Sequence, residues 1–172
     1  MTTANSDAQG GHSPFWNFSL EFYSRPHVAP ACLKLQDSAG VDVNVLLYLL
    51  FLAQQGRRLN RDDVARIDAT VLSWREQVVK PLRTLRRNLK NGMAPFDADA
   101  TGALRSEIKR IELEAERIEQ QTIEHLVPAS AIGTPMASPA TAARDNLAAY
   151  GELLGGLPDA PVKLLLEVFS EG

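Results

Sequence analysis

An apolar run in the first third of the chain constrains the fold more than any other feature of the sequence. Residues 43–53 read VNVLLYLLFLA, and Asn44 is the one strongly polar residue among them. Because a helix there would be apolar on every side, it must be buried on every side. The run is about half of the ~20 residues that a membrane-spanning helix needs. The sequence therefore predicts a helix in the core of a soluble protein.

Both ends of this run carry signals for a helix. Asp42 is suited to be the N-cap, because its carboxylate can accept hydrogen bonds from the first backbone N–H groups. Gly56 is suited to the left-handed position that ends many helices. A buried strand is the alternative, since short apolar runs are ambiguous. The run is long for one strand, however, and its Leu, Ala and Gln favour a helix.

The residues before the apolar run predict a tail and two helices. Residues 1–12 are small and polar and are predicted to form a disordered tail. An aromatic-rich helix is predicted over residues 14–24, because Ser13 is a favourable N-cap and proline follows it. A second helix is predicted over residues 30–38. Both would pack on the apolar helix.

Two long segments after the apolar run have apolar residues at helical spacing. The first is predicted to be a helix over residues 60–91, with a kink or a break at Pro81 because proline has no backbone donor. The second is predicted over residues 101–126. Joined by a short linker, they should form an antiparallel hairpin. The predicted seams are Val64, Ile67, Val71, Trp74, Val78, Leu82, Leu85 and Leu89 in the first helix, and Leu104, Ile108, Ile111, Ala115, Ile118, Thr122 and His125 in the second.

The charges of the two arms are unequal. Residues 57–91 contain ten Lys or Arg and four Asp or Glu, whereas residues 92–172 contain six Lys or Arg and thirteen Asp or Glu. A basic helix beside an acidic helix favours an intramolecular pair. The net charge of the whole chain is −3, so general attraction to nucleic acid is not expected.

The chain is predicted to form one all-α domain after its tail. Residues 13–56 would supply core helices, residues 57–127 the hairpin, residues 128–140 a flexible loop rich in small residues and proline, and residues 141–172 short helices. The predicted architecture is a compact helical bundle with a buried apolar helix and a long antiparallel helical hairpin. A single cysteine and the lack of a secretory leader pattern predict a cytoplasmic location.

Polar residues at the start of the apolar run form the first candidate site. Gln36, Asp37, Asp42 and Asn44 lie within nine residues of one another. Carboxylates and an amide in this arrangement could bind a hard cation or a polar ligand. The structural alternative is that Asp42 caps its helix while the amides bond nearby backbone. No calcium-loop pattern is present, so no metal is predicted.

Cysteine and histidine give little support to catalysis. Cys32 and His27 are the one possible nucleophile and base in this region, but Cys32 also fits a small core residue. The other histidines, His12 and His125, show no zinc-binding spacing with them. The sequence therefore leaves open whether the protein is an enzyme, and it names no cofactor.

A basic patch near the end of the first long helix is the second candidate site. Its residues are Lys80, Arg83, Arg86, Arg87 and Lys90. They could bind phosphate, RNA or an acidic protein surface. No aromatic residues alternate with them, so stacking on single-stranded nucleic acid is not supported. The alternative is a solvated face that pairs with the acidic arm.

The first half of the chain also resembles a known family. The segments that carry the resemblance are FWNFSLEFY (15–23), ACLKLQD (31–37), GVDVNVLLYLLFLA (40–53) and VVKPLRTLRR (78–87), with Trp74. They resemble the signature of a proteobacterial family of small uncharacterised proteins over residues 15–90. The resemblance implies a lineage and no activity. If the family shares a site, the positions where its signature and the polar cluster coincide are Trp16, Gln36, Asp37, Asp42 and Asn44.

Three functional hypotheses follow from the sequence. The favoured one is a non-enzymatic protein-interaction or regulatory module with a protein partner, because the chain combines a hairpin with uneven charge and no catalytic constellation. The second is a small-molecule- or metal-dependent helical enzyme with a site near Asp37, Asp42 and Asn44. The third is a phosphate or RNA binder that uses residues 80–90. None of them involves a membrane span.

Overall fold

A computed structural model describes residues 13–171, and most of them are helical. The helices are α1 (Pro14–Ser24), α2 (Val28–Ala39), α3 (Val43–Gln54), α4 (Arg61–Trp74), α5 (Lys80–Asn88), α6 (Ala98–Leu126), α7 (Pro139–Leu154) and α8 (Asp159–Ser170). The strand β1 (Arg57–Arg58) pairs antiparallel with β2 (Thr134–Pro135). The predicted all-α fold is confirmed. The predicted tail, residues 1–12, lies outside the described residues.

Helix α3 forms the centre of the core, as predicted. Leu46 and Leu49 have no exposed surface, and α1, α6 and α7 pack around them. Burying a leucine side chain contributes about 1.5–3 kcal/mol. Asp42 begins the helix, because its Oδ1 accepts hydrogen bonds from the N–H groups of Asn44 at 2.9 Å and Val45 at 3.3 Å. A cap of this kind is worth about 1 kcal/mol.

Aromatic rings of α1 pack against rings of α3. The ring of Phe15 lies 4.7 Å from that of Tyr48 and 5.5 Å from that of Phe51, measured between centroids. Phe18 lies 5.7 Å from Phe51. Tilted rings at these distances attract each other beyond the burial of their surface. The aromatic-rich helix predicted from the sequence therefore covers one side of α3.

The predicted hairpin is confirmed, and the break near Pro81 takes a specific form. Residues 75–79 make a π-helical turn between α4 and α5, in which Lys80 N–H donates to the carbonyl of Arg75. The wider turn ends just before proline, which has no N–H to offer. It also changes the buried face, so that Val79 is buried rather than Val78. Helix α6 runs antiparallel to this pair.

The side of α6 that faces the core differs from the predicted seam. Its buried residues are Ile108, Glu112, Ala115, Glu119, Gln120 and Ile123. Leu104, Ile111 and Ile118 were predicted to lie on the seam but are exposed, and so is His125. The spacing of apolar residues predicted the wrong face, because the buried polar residues of α6 form hydrogen bonds with residues on other helices. The helix also begins at Ala98, earlier than predicted, because Asp97 caps it through the N–H of Ala100 at 2.8 Å.

The C-terminal helices close the core. Helix α7 packs along α3, and α8 packs on α2 and α7. Asn146 of α7 is fully buried and binds backbone groups on both sides: its Oδ1 accepts from Leu59 N–H at 2.7 Å, and its Nδ2 donates to the carbonyls of Leu49 at 3.0 Å and Arg57 at 3.1 Å. The segment 128–140, predicted as a loop, contributes β2. Within residues 13–171, no helix has both the length and the apolar content to cross a membrane.

Candidate functional site

An open groove lies between α1 and α2 on one side and α5 and α6 on the other, with α3 at its floor. Its volume is about 740 Å³. The apolar residues that line it include Trp16, Leu20, Tyr23, Leu33, Leu47 and Leu113. Leu20, Leu33 and Leu113 are 51%, 44% and 54% exposed. The groove is thus an apolar surface that remains accessible to solvent.

Polar side chains from α1, α2, α3 and α6 form the floor of the groove: Ser19, Gln36, Asn44 and Gln120. Gln120 Nε2 donates to Asn44 Oδ1 at 2.9 Å, and Asn44 Nδ2 donates to Glu119 Oε2 at 3.2 Å. Asn44 thus donates to the carboxyl group of Glu119 and accepts from the amide of Gln120. Four buried side-chain atoms among residues 13–171 have no hydrogen-bond partner: Ser19 Oγ and Gln120 Oε1 in the floor, Glu119 Oε1 next to it, and Arg105 Nε.

Two buried carboxyl groups, those of Asp42 and Glu119, lie next to the floor of the groove. Asp42 Oδ2 accepts from Arg75 Nη1 at 3.1 Å, and the same nitrogen donates to Asp68 at 2.7 Å. Burial, followed by the charge of Asp42, raises the pKa of Glu119 well above its usual range. The raised pKa favours the neutral form of Glu119. Tyr150 completes the group by accepting from Asp42 N–H at 3.0 Å.

The structure brings together some of the predicted site residues and separates others. Trp16, Gln36 and Asn44 line the groove, whereas Asp42 lies behind its floor. Asp42, Asn44 and Gln36 also line a cavity of about 50 Å³, which has room for little more than a water molecule. Asp37 lines neither space: it is exposed and pairs with Arg87 at 3.1 Å. The residues of the enzyme hypothesis therefore do not converge in one open pocket.

The predicted basic patch is largely paired with carboxylates. Its ion pairs are Lys80–Glu76, Arg83–Glu112, Arg83–Glu116, Arg86–Glu112 and Arg87–Asp37. Burial alone would raise the pKa of Glu112, but the hydrogen bond and charge of Arg86, with the charge of Arg83, lower it. Glu112 thus stays ionised and joins the two arms of the hairpin. Lys90 forms no ion pair within the described chain.

The buried cysteine has no geometry for catalysis. Cys32 has no exposed surface, and burial raises the pKa of its thiol to about 12. His27, the base suggested by the sequence, is exposed at the start of α2. A thiol of this kind behaves as a small core side chain. In the part of the chain that the structure covers, no group of three or more His, Cys, Asp or Glu is placed to hold a metal ion.

The α6 side of the site was missed in the sequence. Glu119 and Gln120 were not singled out, although Glu119 lies between Ala115 and Ile123 at a spacing of four. A polar residue flanked in this way faces the core with its neighbours, and that spacing was the available signal. Ser19 and Arg75 carried no comparable pattern. Their roles depend on helices distant in sequence.

These features define an all-α protein in which an open apolar groove lies over a buried polar network. The chain belongs to the family described as Protein of unknown function (DUF2390), whose model matches residues 14–123. The resemblance to a family of uncharacterised proteins is therefore confirmed. The matched residues include the whole lining of the groove, whereas α7 and α8 lie beyond them. No curated protein and no solved structure is significantly similar to the chain.

Proposed function

We propose that this protein is a non-enzymatic interaction module whose groove binds an acidic amphipathic helix of a partner protein. The observation that carries the proposal is the concentration of exposed apolar side chains, such as Leu20, Leu33 and Leu113, in one concave surface. Laying the apolar face of a helix into such a groove is a recurrent mode of recognition. A cytoplasmic location, supported by the single buried thiol, accords with this role.

The shape of the groove favours a helix over a small molecule. Sites for small ligands enclose about 70–90% of the ligand surface. Here Leu20 on α1 and Leu113 on α6 each keep about half of their surface in water, so the groove is a trough rather than a pocket. An α-helix about 10 Å across can bury one face in a trough and leave the opposite face solvated.

Basic residues along the edge of the groove specify an acidic partner. Arg87, Lys109 and Arg110 line this edge, which we call the basic rim. Arg87 pairs with the exposed Asp37 on α2, and Arg110 pairs with its own helix at 3.2 Å. Exposed pairs of this kind contribute only about 0–1 kcal/mol, so carboxylates of a partner can replace them at little cost. Charge complementarity would speed association and orient the helix.

Phosphate or RNA binding by residues 80–90 has weaker support. Arg83 and Arg86 are engaged with the buried carboxylate of Glu112, which leaves less of the basic patch available to phosphate. Nucleic-acid binding also would not use the apolar lining of the groove. The same experiment separates the two functions.

The test selects binders from a displayed library of 18-residue helices that carry Leu or Ile at positions i, i+3, i+4 and i+7, with Glu or Lys elsewhere. We expect the full chain to enrich Glu-rich helices. Fluorescence anisotropy on the selected peptides should show at least a tenfold loss for Leu113→Glu, because that change puts a charge in the groove.

The matched control is Leu72→Glu, which changes an exposed leucine of α4 outside the groove. It should leave peptide affinity unchanged. Equal loss in both variants, or no enrichment of any helix, would overturn the proposal. Binding of a labelled single-stranded RNA that survives Leu113→Glu while peptide binding is absent would assign the function to the basic patch.

A further inference from the structure

Two of the residues that line the groove carry a buried polar atom without a hydrogen-bond partner. Ser19 is 3% exposed and Gln120 is 4% exposed, yet Ser19 Oγ and Gln120 Oε1 have no hydrogen-bond partner in the described residues. Leaving such an atom unpaired costs about 1–3 kcal/mol. Native proteins leave few of them, and each needs an explanation. Here both atoms belong to residues that line one groove.

The chemistry that Gln120 requires is fixed by its neighbours. Its amide nitrogen is already used by Asn44, and Asn44 in turn donates to Glu119. In this chain of bonds Gln120 Oε1 is an acceptor that has no partner within the described residues. A ligand that satisfies it must bring an N–H or O–H donor.

Ser19 can both donate and accept. Serines elsewhere in these helices satisfy their hydroxyls within their own helix: Ser38 donates to the carbonyl of Lys34 at 2.6 Å, and Ser106 donates to that of Gly102 at 3.1 Å. Ser19 makes no such bond in residues 13–171. Its hydroxyl therefore lacks a partner within the described residues, and a side chain that inserts between α1 and α6 at the floor of the groove could supply one.

Resting on the proposed function, we infer that the groove floor selects a partner helix with a side-chain carboxamide, Asn or Gln, at the centre of its apolar face. The amide nitrogen would donate to Gln120 Oε1, and the amide carbonyl would accept from Ser19 Oγ–H. A carboxylate cannot donate to Gln120 Oε1, and leucine would leave both floor atoms unpaired. An ammonium could donate to both atoms but would bring an uncompensated charge into an apolar interface. One buried amide in an apolar interface also fixes the register of the helix.

The test uses the acidic peptides selected on the groove, remade in sets of three. At each central apolar position in turn, the members of a set carry Asn, Asp or Leu and are otherwise identical. We expect one position at which wild type binds the Asn peptide at least tenfold more tightly than the Asp peptide, and no less tightly than the Leu peptide.

Variants of the floor should change this preference. Ser19→Ala should reduce the preference for Asn over Leu at least threefold, and the double variant Ser19→Ala/Gln120→Met should reverse it in favour of Leu. Ser106→Ala is the matched control, because Ser106 lines the groove but is already bonded to its own helix. It should leave the preference unchanged. Circular dichroism establishes that each variant is folded, and Ser19→Ala, the mildest change, decides the result if Gln120→Met does not fold.

The two proposals fail differently. If Leu113-dependent binding persists but Asn, Asp and Leu peptides bind within twofold at every position, the floor does not select a carboxamide and this inference is wrong, while the proposed function stands. If the Asn preference is present but survives Ser19→Ala undiminished, the floor assignment is wrong. If no peptide binding depends on Leu113, the proposed function and this inference fall together.

Discussion

Helices α3 and α6 meet in the middle of the molecule, but their side chains are buried for different reasons. In α3 nearly every residue is apolar, and burial satisfies the helix whichever way it is rotated. Helix α6 buries Glu112, Glu119 and Gln120 while it exposes Ile111 and Ile118. The depth of α3 follows from its own composition, whereas the rotation of α6 depends on partners supplied by α3 and α5.

The partners of α6 explain why it turns carboxyl groups inward. Burial opposes the charged form of Glu112, but Arg86 and Arg83 lower its pKa and keep it charged, whereas burial and the charge of Asp42 raise the pKa of Glu119 and favour its neutral form. A buried carboxyl group is tolerated only with such bonds or with a retained proton. The comparison shows that α3 is central because of its apolar content. The face of α6 that points inward is determined by the hydrogen bonds and ion pairs of its polar residues.

The largest expected effect contrasts a leucine of α3 with an isoleucine of α6. Leu49→Ala should lower the free energy of unfolding by about 2–5 kcal/mol, because a fully buried leucine leaves a cavity. Ile118→Ala removes an apolar side chain that is 38% exposed, and its effect should stay below about 1 kcal/mol. Denaturant unfolding followed by circular dichroism measures both. Equal losses would contradict the contrast.

A smaller effect, visible as a change with pH, is expected for the neutral acid of α6. Burial, with the charge of Asp42, raises the pKa of Glu119 in the folded protein, so the folded state keeps a proton that the unfolded chain releases above about pH 4.5. The free energy of unfolding should therefore fall as pH rises, by at most about 1.4 kcal/mol per pH unit. Glu119→Gln removes this titration and keeps the size and polarity of the side chain.

Thermal unfolding between about pH 5 and pH 8 should show Glu119→Gln gaining stability over wild type as pH rises. Glu114→Gln is the matched control on the same helix. The hydrogen bond from Arg117 lowers the pKa of the exposed Glu114, so its titration in both states lies below this window. Its difference from wild type should stay constant. A constant difference for Glu119→Gln as well would mean that Glu119 is ionised.

The smallest effect is expected at Asp37, which the sequence grouped with Asp42. The Asp37–Arg87 pair is exposed on both sides, so Asp37→Ala should change the free energy of unfolding by less than about 0.5 kcal/mol. Asp42→Ala, in contrast, removes the cap of α3 and a partner of Arg75, and should cost several times more. Denaturant midpoints of the two variants compare them directly. A large loss at Asp37 would show that it has a role beyond this surface pair.

Local features were predictable from the sequence, and features that join distant segments were not. The starts of α1 and α3 were predicted because Ser13 and Asp42 bond backbone groups within three residues of themselves. The π-helical turn at residues 75–79 was not predicted in that form, since proline required a disruption without specifying its shape. The inward face of α6 was predicted wrongly because its periodicity suits two faces.

The candidate site follows the same rule. Trp16, Gln36 and Asn44 were found because they lie in dense local patterns of aromatic or polar residues. Ser19 and Gln120 are single polar residues on two helices about a hundred positions apart in sequence, and only the packing of α1 against α6 brings them to one groove. No spacing rule within one segment can reveal such a pair.

The hydrogen bonds of Asn146 show that the folded core of this protein extends beyond the end of the family match. The family match ends at residue 123. Beyond it, the side-chain amide of Asn146 forms hydrogen bonds with backbone groups before and after β1, and α7 covers one side of α3. A polypeptide that ended at residue 123 would expose the apolar side chains of α3 along the side that α7 covers. The segment that the family model matches is therefore shorter than the segment needed to bury α3.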